Sequence, residues 1–231
     1  MSKPKHENRV EFQVFGDFAQ FSDPLTRVSG EKHTYPVPTY EALKGILKSV
    51  YWSPTLIWVI DAVRVMNPIK TEAIGVLWKQ YSGGYERSYN VRLSDVRYFV
   101  RAHFEWNDNR PELAGDRIEN KHHNMAKRAI KRGGRRAVFL GTSNCSCYVQ
   151  PCDFDGGVGA YDDVPEMEFG LMSHGLTYPD EAYSPETHGK LTANFWYPVM
   201  KNGIITFLRP EDCPLHKPLR DMTMKLFEKG R

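Results

Sequence analysis

Residues 96–106 decide most about how this chain can fold. Val96, Tyr98, Val100, Ala102, Phe104 and Trp106 alternate with Arg97, Phe99, Arg101, His103 and Glu105. A period of two sends successive side chains to opposite faces, so this stretch predicts a long strand. One of its faces is apolar and the other is basic with one aromatic. An apolar face must be covered, so the flanking segments are read for partners. Val10, Phe12 and Val14 alternate with Glu11 and Gln13 and predict a first strand. The stretch 23–38, rich in Pro, Gly and Ser, predicts a long loop. Thr39 is a suitable cap for a helix carrying Leu43, Ile46, Leu47 and Val50 at i, i+3, i+4 and i+7, which Pro54 ends. The apolar, β-branched stretch 55–65 predicts a second strand, and the region of Gly83 and Gly84 a connector. After the long strand, Asn120 is a candidate cap for a second helix that Gly133-Gly134 stops, and 137–140 reads as a short fourth strand.

The order β-α-β-β-α-β predicts an α+β protein. Its N-terminal domain, residues 1–144, is expected to be ferredoxin-like, with two helices on one face of a four-stranded antiparallel sheet. Beyond Gly141 only short strands are suggested, at 147–150, 195–200 and 204–208, with a last helix signal near 222–227. Residues 145–231 therefore read as a smaller antiparallel β domain.

Charge is segregated along the chain. Between Arg117 and Arg136 there are eight Lys/Arg against one acid, Glu119, whereas the whole chain carries only +3. Residues 137–189 contain no Lys or Arg and nine acids. A dense basic block in an otherwise acidic chain fits a localised anion site, nucleic acid first. It also fits a solvated helix face. The longest apolar run, Leu56-Ile57-Trp58-Val59-Ile60, is far below the roughly 20 residues of a membrane span, so no membrane partner is expected. The charged start Met1-Ser2-Lys3-Pro4-Lys5-His6 leads into no apolar stretch. The expectation is a cytoplasmic chain whose Cys145, Cys147, Cys152 and Cys213 stay as thiols.

The start of the basic helix carries the most specific chemistry. Lys121, His122 and His123 would occupy its first turn, where unpaired amides and the helix dipole favour a phosphate. An imidazole beside a held phosphate can move a proton near neutral pH. Such a site suits RNA cleavage by the RNA's own 2′-hydroxyl. That reaction requires a base, an acid and positive charge on the phosphorane, and no metal. The opposing reading is a packed core histidine, because His122 shares a stripe with Met125 and Ala129; His123 is its rival. Tyr51, ending the first helix, lies between the apolar stripe and Lys44 and Lys48. It reads either as a packing residue or as a proton donor or acceptor meeting the Lys121-His122 pair. The basic face of the long strand resembles RNA-stacking sheets without an RNP-type motif. Cys145-x-Cys147-x4-Cys152 has no zinc spacing, with Cys213 or His174 as a fourth ligand only by guesswork, and Gly133-Gly134-Arg135-Arg136 is not a Walker motif. No metal and no cofactor is expected.

Several segments resemble one family in order along nearly the whole chain. They include Phe15-Gly16-Asp17-Phe18-Ala19, Asp23-Pro24-Leu25-Thr26, Val37-Pro38-Thr39-Tyr40, Tyr51-Trp52, Arg64-Val65-Met66, His103-Phe104-Glu105, Lys121-His122, Gly133-Gly134-Arg135-Arg136, Tyr178-Pro179-Asp180 and Arg209-Pro210-Glu211-Asp212-Cys213-Pro214. The chain is similar to the CRISPR-associated endoribonucleases of type I-C systems, Cas family five, subtype d. The resemblance implies cleavage of precursor CRISPR RNA within the repeat hairpin, without metal, leaving a 2′,3′-cyclic phosphate. It implies that the 5′ handle is kept within a surveillance complex with backbone and large subunits. The family's catalytic tyrosine, lysine and histidine fall on Tyr51, Lys121 and His122. RNA contacts are then expected at Lys44, Lys48, His123, Lys127, Arg128, Lys131, Arg135 and Arg136. A non-catalytic subunit that only holds the handle is the alternative.

Overall fold

The computed structural model of the protein describes residues 8–22 and 32–223. The helix signal near 222–227 and part of the loop expected at 23–38 lie outside the described residues. The protein is α+β, with mostly antiparallel strands and, among the described residues, two α-helices. The chain runs β1 (Val10–Ala19), α1 (Tyr40–Val50), β2 (Leu56–Val65), β3 (Thr71–Lys79), β4 (Tyr85–Trp106), α2 (Glu119–Lys131), β5 (Val138–Phe139), β6 (Ser146–Pro151), β7 (Met167–Glu168), β8 (Met172–Thr177), β9 (Lys190–Trp196), β10 (Val199–Lys201), β11 (Ile204–Thr206) and β12 (Leu215–Asp221). A 3-10 turn, Pro111–Asp116, leads from β4 into α2.

The alternating stretch is the second half of β4, and it sits at the centre. Its antiparallel neighbours are β1 on one side and β2 on the other, with Val100 opposite Phe12 and Val63. The full path is β5-β6-β1-β4-β2-β11-β10-β7, and a separate three-stranded sheet has the order β12-β9-β8. Val96, Tyr98, Val100, Ala102 and Phe104 are buried, as a period of two into a core requires. The opposite face is not an open RNA platform. Arg101 is bound by Glu11 and Asp155 and lies over the Phe154 ring, and His103 is bonded to Asp61.

Three expectations about strands change. Of the fourth strand expected at 137–140 only the two-residue β5 forms, at the sheet edge, and the place beside β1 is taken by β6. The turn after β5 is set by Gly141, with φ +91 and a position where a Cβ would collide with the Gln20 carbonyl oxygen. Second, β4 starts at Tyr85 and forms a hairpin with β3. That hairpin is exposed on both sides and so leaves a weak alternation in the sequence. Third, β6, β7, β10 and β11 lie beyond residue 144 yet belong to the main sheet.

Helix α1 follows its sequence signals. Thr39 Oγ1 accepts from the Ala42 N–H at 3.2 Å, and Leu43, Ile46, Leu47 and Val50 are buried. Helix α2 starts earlier than expected. Its N-cap is Ile118, without a side-chain cap bond, so Asn120 is inside the helix. Its buried residues are His122, Ala126 and Ile130, a stripe offset from the one through Met125 and Ala129. Gly133 and Gly134, at φ +79 and +105, close its last turn, with Gly134 N–H donating to the Ala129 carbonyl at 2.9 Å.

Among the described residues, two buried histidines lie outside the basic helix, His103 on β4 and His174 on β8. His174 on β8 stacks on Tyr40 at 4.3 Å and donates through Nε2 to the Leu208 carbonyl at 2.9 Å. Burial lowers its pKa from 6.5 to about 4. The unfolded chain therefore takes up a proton near pH 6.5 that the folded chain refuses until near pH 4. Stability contributed by neutral His174 is intact above pH 6.5 and falls as pH drops through this window, by about 3 kcal/mol at most. Thermal melting should show a shallower decline between pH 6.5 and 4 in His174→Gln than in the unmodified protein. Equal slopes would remove His174 as a cause.

Candidate active site

Tyr51 is the C-cap residue of α1. Its backbone is extended, its N–H donates to the Leu47 carbonyl at 2.8 Å, and its carbonyl accepts from Trp58 Nε1 at 2.8 Å. These two main-chain bonds fix where the phenol leaves the helix end. The ring is half-buried, and its hydroxyl lies 2.7 Å from His122 Nδ1 and 3.7 Å from Met125 Sδ. Burial, and then the charge of Asp116, raises the phenol pKa above 10. The phenol is therefore protonated at rest.

His122 is packed in the core and also reaches the end of α1. It is buried, at 1% exposure, with its ring edge-on to Trp106 and Phe104, and it is also the partner of Tyr51. Its Nε2 lies 2.8 Å from the main-chain carbonyl of Asp116. A carbonyl only accepts, so Nε2 carries the proton and donates. Nδ1 of the neutral ring is then the acceptor of the Tyr51 hydroxyl. The hydrogen-bond network thus selects one tautomer and aims its free lone pair at the phenol.

Lys121 precedes this histidine on α2, and its ammonium is bound to the Asp116 carboxylate. Asp116 also accepts from Thr55 Oγ1 at 3.1 Å, and its Oδ2 lies 3.3 Å from His122 Nε2. The Lys121 hydrogen bond is the main reason its carboxyl pKa lies below the usual carboxylate value. Sequence reasoning missed Asp116. Its only signal was an acid just before the basic block, and the 3-10 turn that delivers it was not read.

Beside this cluster a groove of about 930 Å³ runs along α2 and the start of β1. Lys121, Asn124, Met125, Lys127, Arg128 and Lys131 line it from the helix, with Arg9, Glu11 and Cys152 opposite. The structure therefore gathers Lys121, Lys127, Arg128 and Lys131 on one wall, and Met125 joins the groove to Tyr51. Arg135 and Arg136 are exposed past the end of the helix and do not line it. Other expected contacts are placed elsewhere. Lys44 is buried at 2% exposure, with its ammonium 2.5 Å from Glu181, and Lys48 reaches the same carboxylate at 2.8 Å. An RNA-facing Lys44 is corrected to a buried ion pair, because a lone buried ammonium would be costly and Glu181 supplies the countercharge. His123 is turned away from the phenol, and its Nε2 donates to the Arg9 carbonyl at 3.0 Å. Among the described residues, no group of three His, Cys, Asp or Glu side chains is arranged to hold a metal ion. Among them, too, no helix is long and apolar enough to cross a membrane.

A model of the CRISPR-associated protein family Cas_Cas5d matches residues 10–208. The chain belongs to the Cas5d family. It is 28% identical over 237 residues to a protein of Mannheimia succiniciproducens named CRISPR pre-crRNA endoribonuclease Cas5d, covering 86% of this chain and 94% of that one. Among solved structures, a functionally uncharacterized protein from Streptococcus mutans is 36% identical with a TM-score of 0.75, covering 90% of this chain and 96% of the other. A crystal structure titled as a CRISPR-associated protein is 32% identical with a TM-score of 0.72 and the same coverages. The family match thus extends across both the Tyr51 and the Lys121-His122 segments of this chain.

Proposed function

We propose that this protein is a metal-independent endoribonuclease that cuts precursor CRISPR RNA within the repeat hairpin. The activity named for the Mannheimia relative supports this reading. The observation that carries it is the 2.7 Å contact between Tyr51 and His122, beside Lys121 and at the head of a basic groove.

The chemistry follows from exposure. His122 is buried and Tyr51 is half-buried, so the phenol is the group that meets the RNA and the imidazole acts through it. In the attack, the 2′-hydroxyl passes its proton to the Tyr51 oxygen as the phenol passes its own to His122 Nδ1. A concerted relay avoids a free phenolate, which the raised phenol pKa disfavours. The 2′-oxygen bonds to phosphorus, the bond from phosphorus to the 5′-oxygen breaks, and the leaving 5′-oxygen takes the proton back from His122 through Tyr51, so that a 2′,3′-cyclic phosphate and a 5′-hydroxyl remain and the imidazole is neutral again. Lys121 faces the charge that develops on the phosphorane, where a fixed cation acts with little reorganisation. Lys127, Arg128 and Lys131 hold the RNA backbone along the groove. Arg135 and Arg136 add affinity beyond the helix end.

The strand order β6-β1-β4-β2, with α1 and α2 meeting at Tyr51 and His122, supports a ferredoxin-like core. In this reading residues 1–144 carry the catalytic groups. Residues 145–231 are the smaller β-rich part, which also lends strands to the core sheet. The cleaved RNA stays bound by its 5′ handle, and the protein joins backbone and large subunits in a cytoplasmic surveillance complex.

The test is incubation of the protein with an end-labelled cognate repeat hairpin in excess EDTA. A single cut at an unchanged rate is expected. RNA that is bound but left whole, with or without added divalent metal, would make the protein a handle-binding subunit instead.

A further inference from the structure

We infer that Asp116 is a positioning residue for the reaction, the third member of a Tyr51–His122–Asp116 relay that also holds Lys121 ready for the phosphate. The inference rests on the endoribonuclease reading above and assigns a role to a residue outside its three catalytic groups.

The geometry gives Asp116 two separate holds on the site. Its main-chain carbonyl, 2.8 Å from His122 Nε2, fixes the tautomer that leaves Nδ1 open to the phenol. Its carboxylate is the charge that faces the imidazole when Nδ1 accepts the phenol proton, with Oδ2 3.3 Å from Nε2. A neutral buried ring that becomes an imidazolium during reaction needs such a countercharge, and a carboxylate behind a catalytic histidine meets that need in serine hydrolases. The same carboxylate binds the Lys121 ammonium. An ammonium has three donors, so one bond to Asp116 leaves two for a phosphate. The tether also restrains a long side chain that otherwise samples many rotamers. Thr55 Oγ1, donating to Oδ2 at 3.1 Å, fixes the carboxylate in turn.

The substitution that isolates the charge is Asp116→Asn, since the main-chain carbonyl is unaffected. A carboxylate beside an RNA groove repels the RNA, so its removal acts on binding and on cleavage in opposite directions. Single-turnover cleavage of saturating repeat hairpin is expected to fall about 10- to 100-fold, while Kd stays within about threefold or tightens. Asp116→Glu, which keeps the charge, is expected to cut at least threefold faster than the Asn variant. An unchanged or faster rate in Asp116→Asn would overturn the inference, and so would rate and affinity falling together. Failure of both variants to fold would make Asp116 a structural residue and overturn it as well. These outcomes are distinct from failure of the activity itself, in which the unmodified protein leaves the hairpin whole.

Discussion

Tyr51→Phe should slow single-turnover cleavage of the repeat hairpin about 10²- to 10⁴-fold while leaving the hairpin's Kd within about threefold. The range is that of a lost general acid–base group. The substitution removes one oxygen and keeps the ring that packs at the end of α1. It also strips His122 Nδ1 of its 2.7 Å partner in a buried setting, which costs about 1–3 kcal/mol. In a chain of 231 residues that corresponds to a fall in Tm of roughly 2–12 °C. Folding therefore survives at ambient temperature and the rate loss is chemical. The basic wall of Lys127, Arg128 and Lys131 is separate from the phenol, which is why affinity should hold. A Phe variant that cuts at the normal rate would leave His122 without a route to the RNA and make the phenol a packing residue. Measuring bound RNA and cut RNA on the same samples separates these results.

The parts of this fold that were legible in the sequence are those set by local periodicity. The β4 alternation from Val96 to Phe104 is buried face for face, and α1 keeps both its Thr39 cap and its apolar stripe. What local pattern did not reveal depends on long-range partners. Lys44 looked like a boundary cation on a helix, but Glu181 lies far along the chain and pulls it into the interior. The fourth strand read at 137–140 shrinks to the two-residue β5, because pairing beside β1 is decided by the long-range partner β6. At the site, Tyr51, Lys121 and His122 were singled out from helix ends and from the family resemblance, and the phenol and imidazole do meet. Asp116 was not found, because a single acid in a 3-10 turn has no periodic signature. Its contacts to Lys121, His122 and Thr55 exist only once that turn packs against the start of β2. His123, the rival of His122 in the sequence, is only partly buried and is held by the Arg9 carbonyl.

The most direct measurement uses a repeat hairpin with a single 2′-deoxy nucleotide immediately 5′ of the cut phosphate. If the sugar's own oxygen is the nucleophile that the Tyr51–His122 pair deprotonates, this substrate lacks the attacking atom. No side chain at the site replaces it, so the loss should exceed the effect of removing any one catalytic group, about 10⁴-fold or more. The deoxy hairpin should still bind, since the groove holds phosphates, and it should compete with the unmodified hairpin at about equal concentration. Moving the 2′-deoxy one nucleotide away should restore cleavage. The predicted result, read by gel in EDTA, is full binding with no cut at the modified site and a normal cut when the modification is displaced. Cleavage of the deoxy site at a rate near that of the unmodified RNA would contradict the account, because it would require a nucleophile other than the 2′-hydroxyl.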